Sequence, residues 1–132
     1  MSLETGAVLA PRDYAITRAD LVAYAAASGD QNPIHQHEQV AVAVGLPGVI
    51  AHGMFTMALV ARAVADWTDG AEVIELGCKF TNPVVVPDDG VGATLNVAGT
   101  VKDVADGRAT LALEVTCAGQ KVLGMPRAVV RV

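Results

Sequence analysis

The chain has 132 residues, of which 52% are apolar and 17% charged, and its net charge is −5. This length predicts one domain with a single core, spanning residues 1–132. The negative charge and the absence of Lys/Arg runs argue against a nucleic-acid or anionic-membrane surface. The sequence contains no run of about 18 uncharged apolar residues, so no membrane span is predicted. The N-terminus lacks the basic start and apolar core of a signal peptide, so we expect a cytoplasmic protein.

The apolar content exceeds what one small monomer readily buries, which favours association with a second subunit. Cys78 and Cys117 fall on predicted strands, without a Cys-x-x-Cys motif or a nearby His. We therefore predict two buried, reduced thiols rather than a disulfide or a metal site.

The chain begins with a segment that predicts little structure, followed by a short strand over residues 13–16. Thr17 and Asp20 then resemble a capping box, with Asp in place of the usual Glu or Gln. Apolar residues at helical spacing predict a helix over residues 20–27. Gly29 is the candidate left-handed residue at its end.

A proline-containing loop follows this first helix. Pro33 biases Asn32 away from helical backbone angles, so a continuous helix is excluded here. Asp30, Asn32 and His35 are therefore expected on one turn rather than along a helix face. A second short helix is predicted over residues 37–44.

Residues 53–67 predict one long helix that is apolar nearly all round, with Thr56 and Arg62 as exceptions. Such a helix is expected to be buried on most sides. Arg62 is expected either to pair with an acid or to lie at a subunit interface. The apolar stripe predicted to belong to the core comprises Met54, Phe55, Met57, Ala58 and Leu59.

The second half predicts strands separated by Gly, Asp and Asn. Asp106-Gly107 is a strong signal for a hairpin between two of them. Helices followed by an antiparallel meander predict an α+β domain, with one long helix laid on a curved antiparallel sheet. The predicted strands cover residues 73–80, 92–101, 109–117 and 122–132.

The chemistry concentrates in the Asp30 to His35 loop and in the Ala-His-Gly step that opens the long helix at Gly53. Groups able to move protons, followed by a helix N-terminus able to bind developing negative charge, indicate an enzyme site. Taken alone, Asp30 after Ser-Gly is more often a turn residue, and a lone His more often a satisfied polar side chain. Only the joint pattern favours catalysis. His52 is expected to pack or hydrogen-bond at the helix start, and His37 to face solvent.

Residues 30–35 and 50–54 make the chain resemble the MaoC-like dehydratases, the (R)-specific enoyl-thioester hydratases with the hot-dog fold. That family shares a D-x-N-P-[IL]-H loop and an A-H-G start of the central helix. Residues 80–84 are similar to its F-x-x-P-V strand, and the resemblance runs from about residue 14 to the C-terminus. Within the family, the chain is most similar to the catalytic subunit of short dehydratases acting on acyl-carrier-protein (ACP) thioesters in type II fatty-acid elongation.

Two departures from the family pattern bear on the site. Gln36 and His37 stand where the family often has an aromatic residue and then Asp, which affects the pocket wall or the pairing of His35. The turn at residues 87–90 differs from the family's P-G-D and affects little.

The resemblance implies reversible dehydration of (3R)-3-hydroxyacyl thioesters of ACP or coenzyme A to trans-2-enoyl thioesters. It implies that Asp30 and His35 hold one water, which supplies hydroxide to C3 and a proton to C2. The backbone N–H of Gly53 then donates to the thioester carbonyl. It implies no bound cofactor. Asp30, His35, His37 and His52 could hold a metal by residue type, but their spacing matches no compact ligand motif, so no metal is predicted. The remaining substrate-binding or orienting residues are Asn32, Met54 and Phe55.

Family members build the acyl pocket between subunits, which implies a homodimer or a heterodimer with a related hot-dog subunit. Two other functions stay open. A hot-dog thioesterase usually carries its carboxylate or base on the central helix, where this chain has only Asp66, near the far end. A non-catalytic acyl-binding or stabilising subunit needs neither Asp30 nor His35.

Overall fold

The computed structural model describes residues 3–132, so residues 1 and 2 of the loosely structured start predicted above lie outside it. Within the described residues, helices come mainly first and strands mainly second, as predicted. The elements are β1 (Val8–Ile16), α1 (Arg18–Ser28), a 3-10 turn (Pro33–His35), α2 (Glu38–Ala43), α3 (Gly53–Thr68), β2 (Val73–Phe80), β3 (Ala93–Ala105), β4 (Arg108–Cys117), β5 (Gln120–Lys121) and β6 (Leu123–Arg131).

The strands form one antiparallel sheet in the order β1-β3-β4-β6-β2, with β5 paired to β4. The predicted meander holds from β3 to β6. The predicted hairpin is confirmed, because Asp106 and Gly107 both have positive φ, 54° and 73°, between β3 and β4. The meander is wrong for β2, which lies beside β6 at the sheet edge. Only tight turns oblige consecutive strands to pair, and a 12-residue connection (81–92) separates β2 from β3.

Strand β1 is longer than predicted and begins at Val8, where little structure was expected. It pairs with β3 from Val8 to Ile16, with a register shift between Leu9 and Arg12. Pro11 lies at this shift. Because proline donates no ladder hydrogen bond, strands accommodate it at edges and at irregularities of this kind. Because the proline interrupts the alternating apolar pattern, the first half of the strand was not predicted from the sequence.

Helix α1 begins two residues before and ends one residue after the predicted range of 20–27, and its predicted capping residues are confirmed. The Thr17 hydroxyl accepts from the Asp20 N–H at 3.2 Å, and the Asp20 carboxylate accepts from the Thr17 N–H at 2.9 Å. Gly29 ends the helix with φ of 81°. These local signals fix where the following Asp30 loop begins.

Helix α3 lies against the sheet and anchors the core. It buries Val60, Val64 and Trp67, and the Trp67 indole N–H donates to the Ala10 carbonyl oxygen at 2.8 Å. Among the described residues, no helix combines the length and apolar character needed to cross a bilayer.

The prediction that α3 is buried on most sides is wrong. Met54 is 60% exposed, and Ala58 and Arg62 are also exposed. Residues four apart share one helix face, and this face points away from the sheet. Of the predicted core stripe, Phe55 and Leu59 pack at the edge of the core, and Met57 is half-buried.

Three other side chains were singled out from the sequence. Arg62 lies over the Tyr14 ring, 5.8 Å from its centroid, and forms no ion pair with the described residues. Cys78 and Cys117 are both free thiols, as predicted, but half-buried rather than buried. Burial raises the pKa of both thiols.

Candidate active site

The Asp30 loop is built from two successive side-chain turns. One Asp30 carboxylate oxygen accepts from the Asn32 N–H, and the Asn32 side-chain oxygen accepts from the Ile34 N–H, both at 3.2 Å. Pro33 opens the single 3-10 turn that ends at His35. Asp and Asn favour such turns because their short side chains bond the backbone two residues on. Asn32 therefore orients the loop, and Asp30 keeps its second carboxylate oxygen for other partners.

His35 is 7% exposed and is fastened to the segment before α3. Its Nδ1 lies 2.7 Å from the Ile50 carbonyl oxygen. A carbonyl oxygen only accepts, so Nδ1 carries the proton and donates it. In the neutral ring, Nε2 is then left as the proton acceptor.

His52 contacts both Asp30 and His35 from behind the site. It is 1% exposed, its Nε2 lies 3.1 Å from the Asp30 backbone oxygen, and its ring stacks on His35 at 3.9 Å between centroids. The expectation that His52 packs and hydrogen-bonds at the helix start is confirmed. Burial lowers the pKa of His52, and the neighbouring His35 ring acts in the same direction. His37 is exposed, as predicted.

The N-terminus of α3 begins at Gly53, whose Cα lies under the Phe80 ring. A Cβ at this position would lie 2.9 Å from Phe80 Cε1. The first amide groups of a helix have no acceptor within it and carry a partial positive charge. Because Gly53 has no side chain, the Phe80 ring packs directly against this backbone, at a point where both residues line the same cavity.

A cavity of about 440 Å³ brings Asp30, His35 and Gly53 to one space. Of the predicted substrate-binding or orienting residues, Met54 lines this cavity, whereas Asn32 and Phe55 do not. Phe55 instead contacts Tyr24, 5.1 Å between ring centroids. The rest of the wall consists of Ile50, Ala51, Thr56, Phe80, Thr81, Asn82, Pro83, Val84, Val122 and Leu123.

Several wall residues were not predicted from the sequence. Thr56 is 3% exposed and was visible only as a polar exception in an apolar helix. Val122 and Leu123 reach the site because the Thr81 and Asn82 side chains both donate to the Lys121 carbonyl oxygen, at 3.3 and 2.7 Å. No local pattern marks this long-range contact.

Asp30, His35 and His52 also form the one cluster of potential metal ligands among the described residues, with ligand atoms within 4.8 Å of one another. One nitrogen of each ring already meets a backbone carbonyl oxygen. His37 is not part of this cluster. The absence of a metal requirement stays a prediction.

The arrangement has the elements of acid–base chemistry. A carboxylate oxygen of Asp30 and a ring nitrogen of His35 lie within 4.8 Å of each other. One water making two hydrogen bonds of about 2.8 Å spans such a gap. A helix N-terminus faces the same space and stabilises negative charge that develops there.

Asp66, the carboxylate on α3 that a thioesterase would need, lies elsewhere. It bonds Tyr14 and Arg12, at 3.0 and 3.2 Å, and does not line the cavity.

This chain is similar to known proteins in sequence and in fold. Residues 3–119 match the sequence model of a protein family described as "MaoC like domain". The 3-hydroxyacyl-thioester dehydratase X of Mycobacterium tuberculosis (strain ATCC 25618 / H37Rv) is 44% identical over 73 residues, which make up 54% of this chain and 25% of that protein.

Two solved structures are similar over 98% of this chain. A MaoC-like dehydratase is 33% identical with a TM-score of 0.92, and R-hydratase PhaJ1 from Pseudomonas aeruginosa is 30% identical with a TM-score of 0.83. The chain covers 40% of the first structure and 82% of the second. It thus spans about a quarter of the curated relative above and less than half of the first structure. These similarities confirm the predicted α+β hot-dog fold.

Proposed function

Because this chain belongs to the MaoC-like dehydratase family, we propose that it catalyses the reversible dehydration of (3R)-3-hydroxyacyl thioesters to trans-2-enoyl thioesters. The observation that carries this proposal is the closeness of Asp30 and His35, within 4.8 Å, in a cavity that also opens on Gly53. The Ile50 carbonyl oxygen anchors the His35 ring, and the Asp30 carbonyl oxygen anchors the His52 ring that stacks on it.

In the hydration direction, Asp30 and His35 hold one water beside C3 of the enoyl group. The water oxygen bonds to C3 and its proton passes to this pair, which delivers a proton to C2 on the same face. Electron density moves onto the thioester oxygen during the attack. The N–H of Gly53, at the positive end of α3, donates to that oxygen and stabilises it. Dehydration follows the same steps in reverse.

The substrate is a thioester of ACP or coenzyme A, and the similarity to short ACP dehydratases noted from the sequence favours the first. The apolar part of the cavity wall, including Val84 and Leu123, accommodates the acyl chain. We infer a single domain over residues 1–132 that works in the cytoplasm, without cofactor or metal. It pairs with a second copy or with a related hot-dog subunit, for which the exposed face of α3 offers a surface.

The test is hydration of a trans-2-enoyl-CoA and the matching enoyl-ACP, followed by loss of the conjugated enoyl absorbance. Asp30→Asn and His35→Ala are each expected to lower kcat by about 10² or more, because each removes one proton-transfer group. His37→Gln, which changes an exposed His that does not line the cavity, is the control and is expected to keep full activity. Circular dichroism and thermal melting verify that the variants fold.

The result separates the proposal from its alternatives. Saturable thioester binding without turnover would contradict the enzyme and favour an acyl-binding subunit. Release of free thiol would favour a thioesterase. Full hydration in either site variant would remove that residue from the mechanism.

A further inference from the structure

His52 is a buried residue that links the Asp30 loop to the start of α3. It directly precedes α3, is 1% exposed and does not line the cavity. Its contacts nevertheless reach both proposed proton-transfer residues. We propose that His52 is the positioning residue of the acid–base pair, a role that rests on the proposed function.

The first contact fixes Asp30. The Nε2–H of His52 donates to the Asp30 backbone oxygen at 3.1 Å. This bond ties the start of the loop to the start of α3, 22 residues further along the chain. Asp30 is itself exposed and lies between Gly29 and a chain of side-chain turns. The bond to His52 therefore sets the distance between the Asp30 carboxylate and the helix N-terminus.

The second contact fixes His35. The Nδ1–H bond to the Ile50 carbonyl oxygen holds one edge of the His35 ring. The His52 ring stacks on its face at 3.9 Å, with 25° between the planes, and restricts tilting of the ring. On another side of His52, the Tyr24 ring packs at 4.8 Å between centroids. One hydrogen bond and one stack together determine where His35 Nε2 points.

The Nδ1 atom of His52 is buried and has no hydrogen-bond partner among the described residues. A proton there would leave an unpaired buried N–H and place a positive charge beside the His35 ring, an arrangement that costs free energy. The ring is therefore held neutral, with its single proton on Nε2, where the Asp30 carbonyl needs it.

Two variants divide the two contacts. His52→Phe keeps a ring for the stack but loses the donor, and His52→Gln keeps an amide N–H donor but loses the ring. We expect each to lower kcat with little change in KM, by about 10²-fold where a reacting group moves by about 1 Å. The His52→Phe/His52→Gln comparison tells which contact matters more. His37→Phe and His37→Gln are the matched controls and keep full kcat.

A readout independent of turnover comes from imidazole nitrogen NMR, since the chain has only three His residues. In the wild type we expect His52 as the neutral Nε2–H tautomer and His35 as the Nδ1–H tautomer. Both His52 variants are expected to shift the His35 nitrogen signals and to change the pH–rate profile. The His37 variants leave both unchanged.

The outcomes separate the two proposals. A folded wild-type dimer that hydrates neither CoA nor ACP thioesters contradicts the proposed function, while the His35 signals still test whether His52 positions that ring. Variants that melt earlier but keep the wild-type kcat, pH profile and His35 signals would show a merely structural His52 and overturn the positioning role.

Discussion

At the scale of single residues, structural and proposed catalytic roles occur in the same side chain. One oxygen of Asp30 closes a turn onto the Asn32 N–H. That is the ordinary role of an Asp after Ser-Gly, and it leaves the second oxygen for a water. The turn therefore aims the carboxylate, so the structural reading and the proposed catalytic role are compatible.

The pKa of His52 leads to a prediction about stability. Because burial lowers the pKa of His52 in the folded protein, the unfolded chain binds a proton below about pH 6.5 that the folded protein does not bind. The free energy of unfolding is therefore expected to fall as the pH decreases through and below that value. Urea unfolding at pH 8, 7, 6 and 5.5 measures this decrease.

His52→Gln is the control, because it removes the titrating ring and is expected to flatten this part of the curve. Glu72 and Asp89 have lowered pKa values through an Arg131 contact and through backbone N–H donors. Their contribution is present above about pH 4.5 and is lost only below it, so it does not overlap the His52 window. An unchanged slope in His52→Gln would contradict the assignment.

At the scale of elements, local signals could be predicted and context could not. The Thr17 capping box, the Gly29 end and the Asp106-Gly107 turn each depend on residues within four positions of one another, and all three are confirmed. The exposed face of α3 and the pairing of β2 with β6 depend on which elements cover which. That information lies outside any local window.

The start of α3 leads to a second prediction. Gly53→Ala puts a Cβ into the space beside Phe80, which is 57% exposed and able to move aside. We expect the free energy of unfolding to change by less than about 1 kcal/mol, because alanine favours the helix. We expect kcat/KM to fall at least about tenfold, because the Cβ keeps the thioester oxygen from the amide group.

The matched control is Gly77→Ala on β2, where a Cβ meets no atom within 4 Å. Its hydration kinetics and urea midpoint are expected to stay close to those of the wild type. Wild-type kcat/KM in Gly53→Ala would contradict close approach of the substrate to this amide.

At the scale of the whole molecule, the proposed dimer has a testable surface. Met54, Ala58 and Arg62 form one exposed face of α3. We expect the chain to sediment at twice its 13.5 kDa. Ala58→Glu is expected to give monomers, because Glu keeps the helix but places a charge in the contact. Analytical ultracentrifugation measures the change.

Ala23→Glu, on the exposed side of α1, is the control and is expected to leave the dimer intact. A dimer that survives Ala58→Glu would place the interface elsewhere. A wild-type monomer that lacks activity alone would favour a heterodimer with a related subunit.

The site as a whole shows the same limit of sequence reasoning. Asp30, His35 and Gly53 were predicted because they stand in short motifs, and they line one cavity. Thr56, Val122 and Leu123 complete the wall only through packing between distant segments. Phe55 was predicted to bind or orient the substrate, but its direction on the helix takes it to Tyr24.

Both rings of the site are held by main-chain oxygen atoms, His35 by that of Ile50 and His52 by that of Asp30. Every amino acid supplies such an oxygen, so the support does not depend on the identity of the residue that provides it. Position 50 also lines the cavity. A library of side chains at this position is therefore expected to reshape the proposed acyl pocket without removing the anchor of His35, which makes it a starting point for changing chain-length preference.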